Sequence, residues 1–535
     1  MIRLLSIIIS IILFGGVFFT SEQFMNIEND IKFYYIILMS LLLITICSIR
    51  SKGFSELLAS FRSYGLYYGF IVVSLLLSVY GLSQFFGCIQ SRHYSFPITG
   101  TFENPAGFAA VQAMLFPFAL LLSFEKVEKR ILRVLSHFAL LLVFLSVALS
   151  GSRAGILAMF TAIIVYILLN TKAISLIRRH QWLLVFIIVI AAIGLYALYR
   201  IKSDSVNGRI LIWRVCLDMI HDKPLFGFGM DGFQQYYMSY QASYNIAHPD
   251  SNLILLADNI VHPFNEYLKL TICFGITGLL VIIIALMLLL RLFFKSNRVV
   301  KTLGLTTVAS SFVLSQFSYP YFYSVVWLIS IIVFVSVFPL SHNENRIHEV
   351  SKKIRFPFLI VSSILLLIIS RSMYLDMKWA EIAKRSLSGQ TEKMLPYYSK
   401  MKPQMKHNPL FLYNYAAELN YVENYDESLA ITKECLESLN DYDVQLLLAD
   451  NLSNISRIDE SINAYQQAAN MIPCRFEPLD GIMNLYLSKG DTLCAVKVAH
   501  EIVEKSVKIP SLRVNQIIES AQLLIESKRK YLENK

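Results

Sequence analysis

Charged residues are scarce in this 535-residue chain: Asp, Glu, Lys and Arg make up 16% of it, against 55% for hydrophobic residues. They are also unevenly spread, so that long apolar runs could each cross about 30 Å of hydrocarbon. This composition excludes a water-soluble globular protein. We count eleven such runs, near residues 4–20, 33–49, 64–86, 105–124, 131–149, 153–169, 181–199, 264–290, 301–317, 321–340 and 356–374.

The chain also lacks the usual patterns for metals and nucleotides. Its seven cysteines show no CxxC or zinc-ligand spacing, and the scattered His248, Asp250 and His262 match no standard ligand set. Glycines cluster between Asp222 and Phe233 without a Walker or Rossmann context, and they indicate tight turns with close backbone approach. We therefore expect no metal, no cofactor and no nucleotide.

Lys and Arg concentrate in alternate loops, and basic loops of membrane proteins face the cytoplasm. These loops lie near residues 50–62, 126–133, 172–179, 291–301 and 346–355. The pattern predicts a multi-pass membrane protein with a cytoplasmic N-terminus and with everything after residue 375 on the outside. The formal charge of +10 follows from this bias. It indicates anionic headgroups as the partner and not nucleic acid.

Three regions follow from the composition. Residues 1–375 form a membrane domain with a long external loop at about 200–261, residues 376–408 form a polar connector, and residues 409–535 form a soluble helical tail. In the tail, Tyr425-Asp-Glu-Ser428 and Ile458-Asp-Glu-Ser461 are offset by 33 residues, and Gly490 begins a related stretch.

This period resembles the tetratricopeptide (TPR) repeat. The second unit matches it best, and the third departs from it at Ala499 and Val507. The helix after Pro510 is expected to cap the array. Such arrays bind peptides or proteins on a concave surface. The alternative is a structural lid packed on the membrane domain.

Two arginines could bind phosphate, since the planar guanidinium suits phosphate oxygens. Arg153 lies at an external hairpin tip, where the alternative is an arginine that snorkels to the interface. Arg209 opens a segment whose apolar residues have helical spacing, which predicts a helix on the outer membrane surface. Gly208, directly before Arg209, is compatible with the N-cap position of this helix. The predicted apolar face consists of Ile210, Trp213, Leu217 and Ile220.

A histidine, an amide and a carboxylate lie together in His262-Pro-Phe-Asn-Glu-Tyr267, where the external loop runs into an apolar helix. Chemistry on a lipid-anchored substrate would suit this position. His262 or Glu266 could act as a general base, with Asn265 in support. By topology, Arg153 and Arg209 should lie on the same membrane face.

Four blocks in chain order resemble the O-antigen ligase family, which also includes related polymerases and protein O-oligosaccharyltransferases. They are Gly100-Thr-Phe-Glu-Asn-Pro105, Leu149-Ser-Gly-Ser-Arg-Ala154, the stretch from Arg209 to Phe233, and the stretch from His262 to Gly278. The fold we expect is all-α: a polytopic, GT-C-like membrane helix bundle of about eleven helices, followed by an extracytoplasmic TPR-like α-solenoid.

The resemblance implies transfer of a glycan from undecaprenyl diphosphate to an acceptor hydroxyl outside the cytoplasmic membrane. The acceptor would be lipid A–core, a protein Ser/Thr or, in a polymerase, a second lipid-linked repeat. Arg153 and Arg209 would bind the diphosphate, His262 and Glu266 would be catalytic, and Asn265, Trp213 and Asn104 would support them. A protein could also bind the TPR-like tail.

One position departs from the family. Members often have His-Asn, nine residues and Gly-x-x-Gly; here Asn265 and the Gly275/Gly278 pair are in register, but Phe264 occupies the histidine position. His262 could substitute where the chain enters the helix irregularly, which Pro263 favours. Glu266 could serve instead, or the reaction could rely on charge stabilisation.

The rival class is a transporter or flippase for lipid-linked sugars. Such proteins usually carry charged residues at mid-span and internal repeats of the membrane domain. Here the predicted spans are almost free of central charge and the polar motifs cluster at one face, which favours surface chemistry over passage.

Overall fold

The computed structural model describes residues 1–50, 52–125, 130–171, 203–337 and 344–533, and within them all regular secondary structure is helical. The all-α prediction is therefore confirmed for the described residues. Up to the long loop the helices are α1 Ile2–Phe18, α2 Asp30–Ile49, α3 Gly53–Ser60, α4 Tyr64–Phe85, α5 Pro105–Phe124, α6 Arg130–Leu149 and α7 Arg153–Asn170.

The loop contributes α8 Ser203–Asp222 and α9 Gly232–Ala247. After it come α10 Glu266–Lys295, α11 Arg298–Phe317, α12 Ser324–Val335, α13 Glu344–Arg385 and α14 Thr391–Met405. The tail contains α15 Pro409–Tyr421, α16 Tyr425–Leu436, α17 Tyr442–Asn454, α18 Ile458–Met471, α19 Glu477–Ser488, α20 Thr492–Glu504 and α21 Leu512–Glu533. The residues predicted as a connector are thus largely helical, since α13 continues to Arg385 and α14 follows.

Seven described helical segments are long and apolar enough to cross a membrane: α2, α4, α5, α6, α7, α10 and the stretch that begins at Arg355. The apolar α1 and α12 are shorter. The run predicted at 181–199 lies outside the described residues. A multi-pass membrane protein is therefore supported, whereas the count of eleven spans and their orientation stay predictions.

The chain divides into two compact units. The first unit comprises residues 1–198, 264–267 and 281–381, and the second comprises residues 199–263, 268–280 and 382–535.

Helix α5 is the central element of the first unit, since 94% of its apolar stretch is buried inside the protein. A helix that is apolar on all sides must be surrounded, and α4, α6, α7, α11 and α12 all pack against it. Its buried Gln112 is satisfied by hydrogen bonds with Ser74 and Ser78 of α4. This matters because a buried amide without partners would cost about 1–3 kcal/mol.

Polar contacts gather at the two ends of the first unit. At one end, Asn29 donates to Glu103 (3.1 Å) and Asn104 donates to Tyr319 (3.0 Å). At the other end, Arg298 donates to Asn170 (3.1 Å). We call the first the Asn104 end. The separation of polar ends by an apolar middle is what a bundle that crosses a bilayer requires.

In the second unit the tail forms three antiparallel helix pairs, α15/α16, α17/α18 and α19/α20, and α21 packs on the last. The repeat is visible in single bonds. Ser428 donates to Ala416 O (2.7 Å), and Ser461, 33 residues later, donates to Ala449 O (2.6 Å). These bonds explain the serine of the Asp-Glu-Ser motif.

The turn within each pair also repeats. Glu423, Ser456 and Gly490 all have positive φ, at 65°, 63° and 78°. In each turn the next residue donates its backbone N–H across the helix end, as Asn424 does to Leu419 O (3.0 Å). This left-handed helix end closes the carbonyls of the last helical turn. The TPR-like part of the fold is thus built from three equivalent turns.

The repeats dock on helix α9 of the long loop. Gln241, which is fully buried, donates to Met471 O (2.8 Å), and Asn245 donates to Asn470 O (2.9 Å). From the turn between α16 and α17, the Asn440 backbone donates to Gln234 O (3.2 Å). The sequence analysis gave a structural lid as the alternative role of the tail. Within this unit, the repeats cover helix α9 of the long loop.

Candidate functional site

Helix α8 carries Arg209 in its second turn. The described part of this helix runs from Ser203, so Gly208 lies inside it and the prediction of Gly208 as its N-cap is wrong. The helix buries a different set of residues inside the protein, namely Leu211, Ile212, Val215, Cys216 and Met219. Leu217 of the predicted face is 57% exposed, which leaves that face open to a membrane surface.

Trp213 joins α8 to the histidine turn. Its indole Nε1 donates to Pro263 O at 3.1 Å. Trp213 stands one helical turn after Arg209, and Pro263 directly follows His262, so the two motifs are neighbours within the second unit. Sequence reasoning named these residues, but it had no means to predict this bond between segments 50 residues apart.

His262 is kept neutral by its surroundings. Burial lowers its pKa to about 4, and the positive charge of Lys269 adds to this effect. Both causes disfavour the charged imidazolium. The neutral imidazole is the protonation state that a general base needs, whereas a pKa of about 4 makes it a weaker base than an ordinary histidine.

The glycine-rich stretch after α8 interlocks with α10. Phe228 N donates to Ile272 O (2.8 Å), Gly229 N donates to Cys273 O (2.9 Å), and Ile276 N donates to Pro224 O (2.8 Å). Gly275 has φ +67° and interrupts α10 at this place. A Cβ at Gly275 would lie 2.0 Å from Leu225 O. The two glycine motifs therefore form one backbone-to-backbone junction.

Phe264, at the family's histidine position, adopts a left-handed backbone with φ 53°. This conformation is costly for a bulky side chain. Its ring lies edge-on to Tyr319, with centroids 5.4 Å apart. The chain before Glu266 is thus irregular, which is the condition under which His262 could stand in for the missing histidine.

Asn265 and Glu266 start α10. The Asn265 side chain accepts a hydrogen bond from Tyr267 N (3.0 Å) and donates to Gln316 (3.1 Å). Asn265 thereby fixes the first turn of the helix against the end of α11. Glu266 is the first helical residue and is partly exposed.

Arg153 is the first residue of α7, directly after the N-cap Ser152, whose side chain accepts from Gly155 N. A Cβ at Gly155 would lie 2.8 Å from Cβ of Ala109, so the first turns of α7 and α5 pack closely. Asn104 caps α5 by accepting from Ala106 N and Gly107 N, and it also accepts from the Tyr323 hydroxyl (3.2 Å). Arg153 and Asn104 therefore share the Asn104 end of the first unit.

The structure groups the predicted site residues in two sets. Arg209, Trp213 and His262 belong to the second unit, and Arg153, Asn104, Asn265 and Glu266 belong to the first. Convergence of both arginines with His262 on one pocket stays a prediction.

Sequence reasoning missed two features. One is the docking of α9 on the repeats through Gln241 and Asn245. The other is a cavity beside the buried Lys32 at the Asn104 end. For the cavity, the only signal in the sequence was an isolated lysine at the start of an apolar run. For the docking of α9, the polar sequence of this helix gave no signal.

Fold and motifs together indicate a multi-pass helical membrane protein with an appended helical-repeat domain. Residues 138–283 match the family model described as O-antigen ligase, so this segment is similar to that family and the resemblance of its motifs is confirmed there. Three of the four motif blocks fall in this range, and Gly100–Pro105 precedes it. The match points to an enzyme of the glycosyl-transfer type.

No curated protein matches the chain. Among solved structures, the chain is similar to the one described as the crystal structure of the yeast Tom70, with 9% identity and a TM-score of 0.25. That likeness covers 92% of this chain and 96% of the other.

Proposed function

We propose that the protein transfers a glycan from undecaprenyl diphosphate to an acceptor hydroxyl on the outer face of the bacterial cytoplasmic membrane. The acceptor oxygen forms a bond to the anomeric carbon of the glycan, and the bond from that carbon to the diphosphate oxygen breaks. The leaving lipid diphosphate takes the electron pair, and the acceptor proton passes to a base. Arg153 and Arg209 bind the diphosphate, and no metal takes part.

One observation carries the proposal: the segment that matches the O-antigen ligase family contains Arg153, Arg209 and the His262 turn. Within it, the bond from Trp213 to Pro263 holds the Arg209 helix beside the histidine turn. Bond cleavage adds negative charge to the diphosphate. A preorganised guanidinium offsets this charge without reorganisation during the reaction.

The base is His262 in the first instance. Its neutral state supports this role, and the irregular chain at Phe264 allows it. Glu266 is the alternative base, and Asn265, Trp213 and Asn104 act as positioning residues. A well-placed base contributes about 10²–10⁴-fold to such a reaction.

The acceptor is lipid A–core or a protein hydroxyl, and a polymerase of the same family is the alternative. The repeat domain favours a protein as partner or acceptor, because its helices α17, α19 and α21 border an open groove of about 540 Å³. The groove is polar, with Asp450, Glu477 and Asp480 beside Arg513. Repeat arrays bind extended polypeptides in such grooves.

The test uses purified full-length protein in detergent with undecaprenyl-diphosphate glycan and, separately, lipid A–core, a Ser/Thr protein and a second lipid-linked repeat. We expect transfer to one acceptor. Arg209→Ala should slow it by about 10²–10³-fold, as for loss of one preorganised donor, and His262→Ala should slow it by about 10²-fold or more. Arg214→Ala, on the exposed side of the same helix, is the matched control.

Transfer that both Arg209→Ala and His262→Ala leave unchanged would remove the site assignment. Lipid-linked sugar that crosses a vesicle membrane without transfer would instead establish the transporter.

A further inference from the structure

A cavity of about 140 Å³ opens at the Asn104 end of the first unit, between the start of α2 and the start of α12. We call it the Lys32 cavity. Its polar lining comes from Asn29, Asp30 and Lys32, and its apolar lining from Phe33, Phe102 and Tyr323. None of these residues has a part in the proposed transfer.

Lys32 is an unusual residue for this position, because it is only 2% exposed. Its ammonium donates to Glu28 O (2.5 Å) and Thr101 O (2.7 Å) and lies 4.7 Å from the centre of the Phe102 ring. An ammonium has three donors, so two serve these carbonyls and the third can serve a molecule in the cavity. Asp30 accepts from Asn26 N at one carboxylate oxygen, which leaves the other for a ligand.

The aromatic residues give the cavity a wall and a rim. Phe102 is fully buried behind Lys32, whereas Phe33 and Phe322 at the rim are 44% and 43% exposed. Exposed aromatic faces beside a carboxylate, an amide and an ammonium suit a ligand with apolar C–H faces and polar edges. A sugar ring has this character.

The charges decide which kind of sugar. The polar lining pairs one acidic group, Asp30, with one basic group, Lys32, so neither sign predominates to attract an anionic or a cationic ring. The small volume excludes an oligosaccharide. A single uncharged sugar therefore fits best.

The cavity lies close to the elements that carry the proposed site. Tyr323 lines it and donates to Asn104, the N-cap of α5. The first turn of α5 packs in turn against the first turn of α7, which begins at Arg153. A sugar in the cavity would thus be held by the same framework that positions Arg153.

We propose that the Lys32 cavity binds one uncharged sugar residue of the glycan. This inference rests on the proposed function for the origin of the sugar, but the binding itself can be measured without transfer.

The experiment measures binding of methyl glycosides to the full-length protein in lipid nanodiscs by saturation-transfer difference NMR. The probes are a neutral hexoside, a hexuronide and an amino-hexoside. We expect the neutral hexoside to bind best. Lys32→Gln and Asp30→Asn should each weaken it about tenfold, the loss typical of one hydrogen-bonding group in a buried site.

Phe33→Ala guards against misfolding as an explanation, because Phe33 is half exposed and its removal should leave the core intact. It should also weaken binding several-fold. Lys52→Gln, an exposed lysine beyond the other end of α2, should bind like the wild type. Equal binding by all variants, or a preference for a charged sugar, would overturn the proposal.

The two proposals fail separately. If the hexoside binds and its binding depends on Lys32, but no glycan is transferred, then the sugar site stands and the proposed function is wrong. If glycan is transferred, but Lys32→Gln and Phe33→Ala bind the hexoside as the wild type does, then the proposed function stands and the sugar site is wrong.

Discussion

At the scale of single residues, the chemistry of this protein depends on groups whose surroundings change their ordinary behaviour. His262 keeps a neutral imidazole because it is buried near Lys269. Phe264 accepts a left-handed backbone next to it. The sequence identified both positions as important, but their protonation and their geometry depend on how the folded chain packs around them.

The lowered pKa of His262 predicts a flat pH profile. A general base works in its neutral form, and a base with a pKa of about 4 stays neutral as the pH falls from 8 to 5. We therefore expect kcat/KM for glycan transfer to stay level over this range and to decline only near pH 4. The measurement is the initial rate at low donor concentration, which reports the free enzyme.

His248→Gln is the control, since this exposed histidine lies in the same loop and should leave the profile unchanged. A decline of kcat/KM centred near pH 6.5 that disappears in His262→Gln would show that the imidazole titrates normally and would contradict the buried, neutral state.

At the scale of elements, the junction between the glycine-rich stretch and α10 fixes how these two segments pack together in the second unit. Its bonds run from backbone to backbone, so its geometry depends on the absence of side chains at Gly227 and Gly275. The sequence indicated close backbone approach in the glycine-rich stretch that contains Gly227. It could not indicate that the two motifs approach each other, because hydrogen bonds between distant backbones leave no side-chain pattern.

Gly275→Ala should break this junction. The new Cβ would lie 2.0 Å from Leu225 O, and the φ of +67° is itself unfavourable for alanine. We expect a loss of at least about 2 kcal/mol in stability, measured as the free energy of unfolding or a lower thermal midpoint in detergent.

Gly208→Ala provides the matched comparison in α8, where a Cβ would meet nothing within 4 Å. There the substitution should be neutral or stabilise the helix by about 0.5–1 kcal/mol. Equal effects of the two substitutions would mean that the junction at Gly275 is not tightly packed.

At the scale of the whole molecule, the chain combines a membrane unit with a second unit in which the repeats and the long loop share one interface. The loop that carries Arg209 and His262 also carries α9, and α9 is covered by the repeats. The repeat domain is therefore positioned to stabilise the loop whatever else it binds.

Gln241→Leu should loosen this interface. Leucine removes the donors for Met471 O and Asp258 O and leaves the Tyr237 hydroxyl without its acceptor. Each buried polar group left without a partner costs about 1–3 kcal/mol. We expect faster hydrogen exchange in residues 232–247 and 458–472 and faster proteolysis of the loop.

Gln466→Leu tests the same substitution on an exposed position of α18, and it should leave exchange in both segments as in the wild type. Unchanged exchange in Gln241→Leu would show that the repeats hold α9 by other contacts.

The sequence by itself determined the helical fold, the membrane-spanning character, the repeat period and the similarity of residues 138–283 to the O-antigen ligase family. Hydrophobic runs, positional repeats and local motifs are properties of neighbouring residues, and so they can be read without the tertiary structure. The domain boundaries and the orientation stay predictions from the same patterns. Tertiary structure alone decided that α8 begins before Gly208, which face of α8 is buried, that Gly227 and Gly275 interlock, that α9 lies under the repeats, and that Lys32 borders a cavity. Each of these depends on contacts between segments far apart in the chain, and such contacts arise only when packing satisfies buried backbone and side-chain groups together.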